Sequence, residues 1–351
     1  MPSRPSGSAI KPIRGELALI RRIRSRTARS TSAGLRLGIG DDCALLHPRT
    51  GEELAVTTDL CIAGRHFRLD WHPPESIGHR ALARGLSDLA AMGARPIAAF
   101  LSLGLPRELA NPAGRWPASW VARFFDGLLS LADAHKTPLA GGDLSETPIP
   151  LADVVLIGGV PRGKALLRST ARPGHLLYVT GTLGGGAAAL PHLDRLAGQN
   201  KSQTRSGSNG LIHPVIPRIL EPLLARHLYP QPRIAQGLRL RSLASPAMDL
   251  SDGLSSDLNR ICEESRVAAE IDPTLLPIHP GASLEYALHG GDDYELLFTA
   301  SPATRMPRRI AGVAITRIGR ILSVRPNRPT VTLLTSQGRQ PLKPQGWEHF
   351  S

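Results

Sequence analysis

Between Glu52 and Pro106 the hydrophobic period of the chain changes twice, and this constrains the fold more than any other feature. "EELAVTTDL" has apolar Leu54 and Val56 at strand spacing, then turns polar at Thr57, Thr58 and Asp59. In "PPESIGHRALARGLSDLAAMGARP", Ile77, Ala81, Leu82, Leu86 and Leu89 fall on a helical stripe, which Gly93 and Pro96 terminate. "IAAFLSLGLP" is a continuous apolar run, the pattern of a buried strand. Strand, helix and strand in this order predict an α/β architecture.

The alternation continues. Trp120, Phe124, Leu128 and Leu131 mark a second amphipathic helix, and the short strands "TPLAGGD" and "ADVVLIGGV" close a first unit near residue 160. A second unit holds the strands "LLYVT", "AAEID" and "YELLFTA" and a helix with Leu254, Leu258, Ile261 and Cys262 on one face. "AGQNKSQTRSGSNG", residues 197–210, interrupts it and reads as a flexible surface insert. A length of 351 residues suits two domains, and 35 glycines with 31 prolines favour a loop-rich α/β chain over a helical bundle.

Composition excludes more than it assigns. No apolar run approaches the roughly 20 residues of a membrane span. The three cysteines are scattered, which predicts reduced thiols and a cytoplasmic protein. A net charge of +13 invites a nucleic-acid reading. Yet only five of the 42 basic residues are Lys, the charge is spread along the chain, and aromatics make up 4%, too few for a stacking platform. The opening Arg- and Ser-rich stretch resembles a transit peptide, but "GELALIRRI" spaces Leu17, Ile20 and Ile23 as a helix would.

Among nucleotide motifs, "GGVPRGKA" (Gly158 to Ala165) misses the P-loop pattern at Ala165, which has no hydroxyl for Mg²⁺, and reads as a turn between units. "GTLGGG" (Gly181 to Gly186) is either an anion-binding turn before a helix or a purely structural one. No H-E-x-x-H or G-x-S-x-G occurs, so neither zinc nor a serine nucleophile is indicated.

The acids stand out instead. Asp41 and Asp42 sit in "GIGDDCALL", Asp59 ends a strand, Asp88 lies in an apolar helix and Asp143 follows two glycines. Asp249 and Asp252 flank Ser251 in "MDLSDGL", and Asp292 and Asp293 precede a strand. Each alone reads as a turn residue or helix cap, and Arg84 could pair with Asp88 one turn away. Together they are different. Two carboxylates about 4 Å apart repel by about 4 kcal/mol at an effective dielectric near ~20. A convergent group therefore requires cations or protons. All-oxygen donors suit hard cations such as Mg²⁺, and the residues point to Mg²⁺-dependent phosphoryl chemistry.

The motifs also occur in a known order. "GELALI", "GIGDDCALL", "TTDLCIAGRHF", "LSDLAAMGARP", "GGD", "MDLSDGL", "GGDDYELLF" and "GWEHF" resemble the thiamine-monophosphate kinase family from about residue 15 to the C-terminus. The resemblance implies an α/β (α+β) fold of the aminoimidazole ribonucleotide synthetase type, with two domains, each a mixed sheet packed with helices. It implies a disordered extension over 1–14, an N-terminal domain over 15–160 for ATP, Mg²⁺ and homodimer formation, and a C-terminal domain over 161–351. The implied reaction converts ATP and thiamine monophosphate to ADP and thiamine diphosphate, with no nucleic-acid or membrane partner. Position by position, Asp42, Thr57, Thr58, Asp59, Asp88, Asp143, Asp249 and Asp252 are implied to bind several Mg²⁺ ions. Gly142, Asp143, Arg168 and Ser251 would contact ATP, and His66, Asp292 and Trp347 would face thiamine monophosphate.

Two departures from the family pattern bear on this. Asp292 stands where the family often has Glu, and Leu144-Ser145 follows "GGD" in place of Thr-Thr. The acceptor is a phosphate whose second pKa of about 6 leaves it mostly deprotonated at neutral pH, so no general base is needed and direct in-line transfer is expected. The rival readings are a selenophosphate synthetase-like or hydrogenase-maturation relative, or a basic nucleic-acid binder. The first cysteine is Cys43, within the acid motif, and the chain ends "EHFS" without a terminal Cys, which disfavours the first two.

Overall fold

The computed structural model describes residues 16–28, 30–110, 119–203 and 218–347. The expected extension over 1–14 and the Glu348, His349 and Phe350 of "GWEHF" lie outside the described residues. The chain opens with helix α1 (Glu16–Thr27), which buries Ile23 and Thr27 and leaves Leu17 exposed. A small ribbon of β1 (Leu35–Leu37) and β2 (Leu45–Leu46) follows.

Next come β3 (Glu52–Ile62), α2 (Pro74–Ala91), β4 (Arg95–Leu105), the short α3 (Arg107–Ala110), α4 (Trp120–Ala134), β5 (Leu139–Glu146) and β6 (Leu151–Pro161). Their four strands form one sheet in the order β3-β6-β4-β5, antiparallel except for the β4–β5 pair. The remaining elements begin with β7 (Leu176–Thr180), α5 (Gly185–Ala188), α6 (Leu190–Gln203), α7 (Glu221–Leu228) and α8 (Ile234–Leu240). They continue through β8 (Ala247–Asp249), α9 (Leu254–Ser265), β9 (Ala268–Ile271), α10 (Leu284–His289) and β10 (Leu296–Ala300). The chain finishes with β11 (Arg309–Ile310), β12 (Val313–Leu322), β13 (Val331–Thr335) and β14 (Gly338–Pro341). These strands make an eight-stranded sheet ordered β14-β13-β9-β12-β7-β10-β8, with β11 beside β12 and β13–β9 the parallel pair. The fold class read from the sequence, mixed sheets packed with helices, is the one observed.

Helix α2 sits between the two sheets. It packs on β3 and β6 on one side and on α4, α8 and β8 elsewhere. Its Leu82, Leu86 and Leu89 join a core with Phe124, Leu128 and Leu156 that extends to Phe298 and Ala300 of the larger sheet. Each buried leucine of this kind contributes about 1.5–3 kcal/mol, enough together to fix the rotation of the helix. Gly85 allows the close approach, because a Cβ there would lie 2.5 Å from Leu156 Cδ1. A second core, including Leu177, Val179, Met248, Leu258 and Ile261, joins the larger sheet to α9.

One expectation needs correcting. Helix α6 runs on to Gln203, so residues 197–203 of the expected flexible insert are helical; 204–210 lie outside the described residues. Among the described residues no helix is long and apolar enough to cross a membrane.

Candidate active site

The buried helix α2 carries three charges one turn apart, Arg80, Arg84 and Asp88, and all three line a cavity of about 550 Å³. Strand alternation supplies the facing wall. Thr57 and Asp59 share one face of β3, and Asp59 enters the cavity while the Thr57 hydroxyl donates to Asp88. From the larger sheet, β8 ends at Asp249, and the turn into α9 adds Ser251 and Asp252. His66, Asp292 and Trp347 line the same space. Residues almost 300 positions apart in the sequence thus share one cavity.

The electrostatics are those of crowded acids. Burial pushes the Asp59 carboxyl up to about 6, with Asp88 adding to the rise and Arg84 opposing it. Buried Asp249 is raised well above its ordinary value, first by desolvation and then by Asp88, Asp257 and Asp59, although the Ser87 hydroxyl opposes this. Desolvation and the neighbouring like charges both disfavour the ionised forms of these two carboxyls. The donor set, carboxylates with the Thr57 hydroxyl nearby, fits a hard divalent cation. As placed, however, no three His, Cys, Asp or Glu among the described residues close into a metal cage.

Asp292 has the opposite environment. Its Oδ2 accepts from Arg80 Nη2 at 3.0 Å and its Oδ1 from the Tyr294 hydroxyl at 2.7 Å. Burial alone would raise its carboxyl, but Arg80, His227, the Tyr294 bond and Arg84 hold it well below the ordinary carboxylate range.

The other expected residues fall in two further cavities. Asp42, Gly142 and Asp143 line one of about 620 Å³, beside Arg24 of α1, Phe100 and Leu101. Gly142, at φ +144°, is obligatory there, since a Cβ would lie 1.9 Å from the Leu101 carbonyl oxygen. Asp41 Oδ1 accepts from the Asp42 backbone N–H at 2.9 Å, so Asp41 shapes the turn that presents Asp42. Thr57, Asp88 and exposed Arg168 line the third cavity, about 490 Å³, which therefore shares Asp88 with the first. Thr58 is not brought to the acids. Its side chain lies on the opposite face of β3 and donates to Asp153 Oδ1 at 2.9 Å.

Several motifs resolve here. In "GTLGGG" the backbone N–H groups of Gly184 and Gly186 donate to Asp293 at 2.6 and 3.2 Å, so the turn is structural and those donors are taken. "GGVPRGKA" is the end of β6 and a turn, where the Arg162 N–H donates to the Gly51 carbonyl at 2.9 Å. Arg84 pairs with Asp59 rather than with Asp88.

Similarity to known proteins places the chain in a family. Residues 40–160 match the model of the AIR synthase related protein, N-terminal domain. The thiamine-monophosphate kinase of Escherichia coli (strain K12) is 41% identical over 319 residues, covering 88% of this chain and 90% of that one. The chain belongs to the thiamine-monophosphate kinase family.

Two solved structures of the family bear on the fold. The thiamine-monophosphate kinase from Stenotrophomonas maltophilia K279a superposes with a TM-score of 0.73 at 40% identity, covering 91% of this chain and 96% of that one. AaThiL, complexed with AMPPCP and TMP, gives a TM-score of 0.71 at 30% identity, covering 96% and 97%. Beside the residues expected from the family motifs, the cavity contains Arg80, Arg84, His72, His227 and Tyr294, which sequence reasoning missed as site residues. The fourfold spacing of Arg80, Arg84 and Asp88 along an otherwise apolar helix was the available signal for the arginines. The histidines gave none.

Proposed function

We propose that this chain transfers the γ-phosphoryl group of ATP directly to thiamine monophosphate, giving ADP and thiamine diphosphate in a Mg²⁺-dependent reaction. The observation that carries this is the single cavity in which Asp59, Asp88, Asp249 and Asp252 meet His66, Asp292 and Trp347. A family member with 30% identity holds AMPPCP and TMP together, which supports the same pair of substrates here.

Asp42, Asp59, Asp88, Asp143, Asp249 and Asp252, with Thr57, are the residues that would hold Mg²⁺, which when bound neutralises the facing phosphates and aids in-line transfer. Gly142, Asp143, Arg168 and Ser251 receive ATP. His66, Asp292 and Trp347 face thiamine monophosphate, Asp292 from a position preset by Arg80 and Tyr294. No side chain is assigned as general base, since the acceptor phosphate is already ionised at neutral pH.

The reading includes a homodimer. Leu54, Val56 and Leu60 lie on one face of β3 and are 48%, 63% and 44% exposed, an apolar row at the edge of the smaller sheet. A second copy covering that row would bury it. The cysteines are free thiols, which suits a cytoplasmic enzyme.

The test is ADP release with and without thiamine monophosphate, at varied Mg²⁺. Stimulation by the substrate that disappears with EDTA is expected; an ADP signal indifferent to thiamine monophosphate would sink the reading.

A further inference from the structure

Four arginines line the first cavity: Arg65, Arg68, Arg80 and Arg84. Arg68 is tied to Asp70 and Asp194, at 2.7 and 3.1 Å. Arg80 is tied to the His227 carbonyl and Asp292. Arg65 is exposed, where solvent and salt screen its charge. Arg84 differs from all three. It stands midway along the α2 stripe, one turn from Arg80 and one turn from Asp88. Its Nε and Nη2 both approach the same Asp59 oxygen, at 3.3 Å. A guanidinium well paired with a carboxylate uses two oxygens at about 2.7–2.9 Å, so this contact is loose. Its Nη1 has no acceptor among the described residues. The side chain is 20% exposed, partly desolvated yet open to the cavity.

We propose that Arg84 is a substrate-contacting residue whose guanidinium binds the phosphate of the acceptor and so distinguishes a phosphomonoester from its dephosphorylated form. The inference rests on the functional reading above and goes beyond it. The acids on one side of Arg84 suit a cation-bound nucleotide, and the His66, Asp292 and Trp347 wall suits the organic part of the acceptor. The acceptor's phosphate must lie between them to be reached by the γ-phosphoryl group. Along α2, Arg84 stands between Asp88 on the acid side and Arg80, which holds Asp292 on the other. Its planar fork matches phosphate oxygens, and the loose contact with Asp59 leaves it free to turn. When Asp59 has another cation to face, Arg84 loses its need for that carboxylate and keeps its charge for the incoming phosphate.

The test is calorimetric binding of thiamine monophosphate and of thiamine to the full-length protein, with Mg²⁺ and a non-hydrolysable ATP analogue present. Arg84→Gln and Arg84→Lys are compared with the unsubstituted chain. Loss of a charge-assisted bond should weaken thiamine monophosphate binding by about 10- to 100-fold in Arg84→Gln while thiamine binding stays within about twofold. Arg84→Lys should fall between, because it keeps the charge and loses the fork. If Arg84→Gln binds thiamine monophosphate as the unsubstituted protein does, or weakens both ligands equally, Arg84 is only the counter-ion of Asp59 and the proposal is overturned. Failure of the unsubstituted protein to bind thiamine monophosphate overturns the functional reading and this inference with it.

Discussion

Arg80 and Asp292 form a 3.0 Å ion pair between the middle of α2 and the loop that leads into β10. The guanidinium is almost fully buried and also reaches the His227 carbonyl on α7, so one side chain ties three elements together. The sequence separation is 212 residues.

Removing one partner of such a pair leaves the other buried and uncompensated. Arg80→Met should therefore lower unfolding stability by about 3 kcal/mol, the low end for buried pairs, because Asp292 retains some exposure to the cavity. Urea denaturation measures this; a loss within about 0.5 kcal/mol, the level of an ordinary surface substitution, would contradict it.

Acid should destabilise the fold through the histidines beside this pair. Burial, with Arg80 adding to it and Asp292 opposing, pushes His227 from 6.5 down to about 3. His72, with its ring centroid 5.2 Å from that of His227, shifts in the same direction. The unfolded chain then takes up protons that the folded one refuses, so stability falls as pH drops below 6.5 and continues to fall toward about 3. Melting curves between neutral pH and mild acid should show a shallower slope in His227→Gln; an unchanged slope would assign the acid sensitivity elsewhere.

Asp88 borders two cavities and accepts the Thr57 hydroxyl. Asp88→Asn should keep the fold and lower turnover by at least the ~10- to 100-fold seen when partners around a metal site are lost. Near-normal turnover would remove Asp88 from the proposed Mg²⁺ set.

Direct transfer predicts no covalent phosphoenzyme. Incubation with [γ-³²P]ATP alone should leave the protein unlabelled after denaturation, and an acid- or base-labile label on the chain would refute the mechanism.

For the dimer, Val56→Lys with Leu60→Lys should yield monomers in light scattering, since charges cannot be buried unpaired on the apolar row. A dimer that persists would move the interface to another face.

The sequence-level reading succeeded where one local pattern determines the outcome. The helical stripe of α2, the alternation of β3 and the Gly turns carrying acids needed only spacing to be recognised. It failed where partners come from distant segments. Arg84 had Asp88 one turn away but turns to Asp59, because the rotation of α2 is set by packing on β3 and β6, with Leu156 against Gly85. The fate of "GTLGGG" was decided by Asp293, more than 100 residues later in the chain. Thr58 was grouped with Thr57 and Asp59 by adjacency, although strand alternation already turns neighbours to opposite faces.

The position of α2 between the two sheets also affects how the chain tolerates change. Fourteen of its eighteen residues are buried, and the half-buried remainder includes Arg84 and Asp88 at the cavity. Nearly every position therefore answers either to packing or to the cavity, Glu75 and His79 apart. Under random mutagenesis with selection for activity, this helix should be the stretch where the fewest substitutions survive, and drift in the surrounding strands should have to accommodate it.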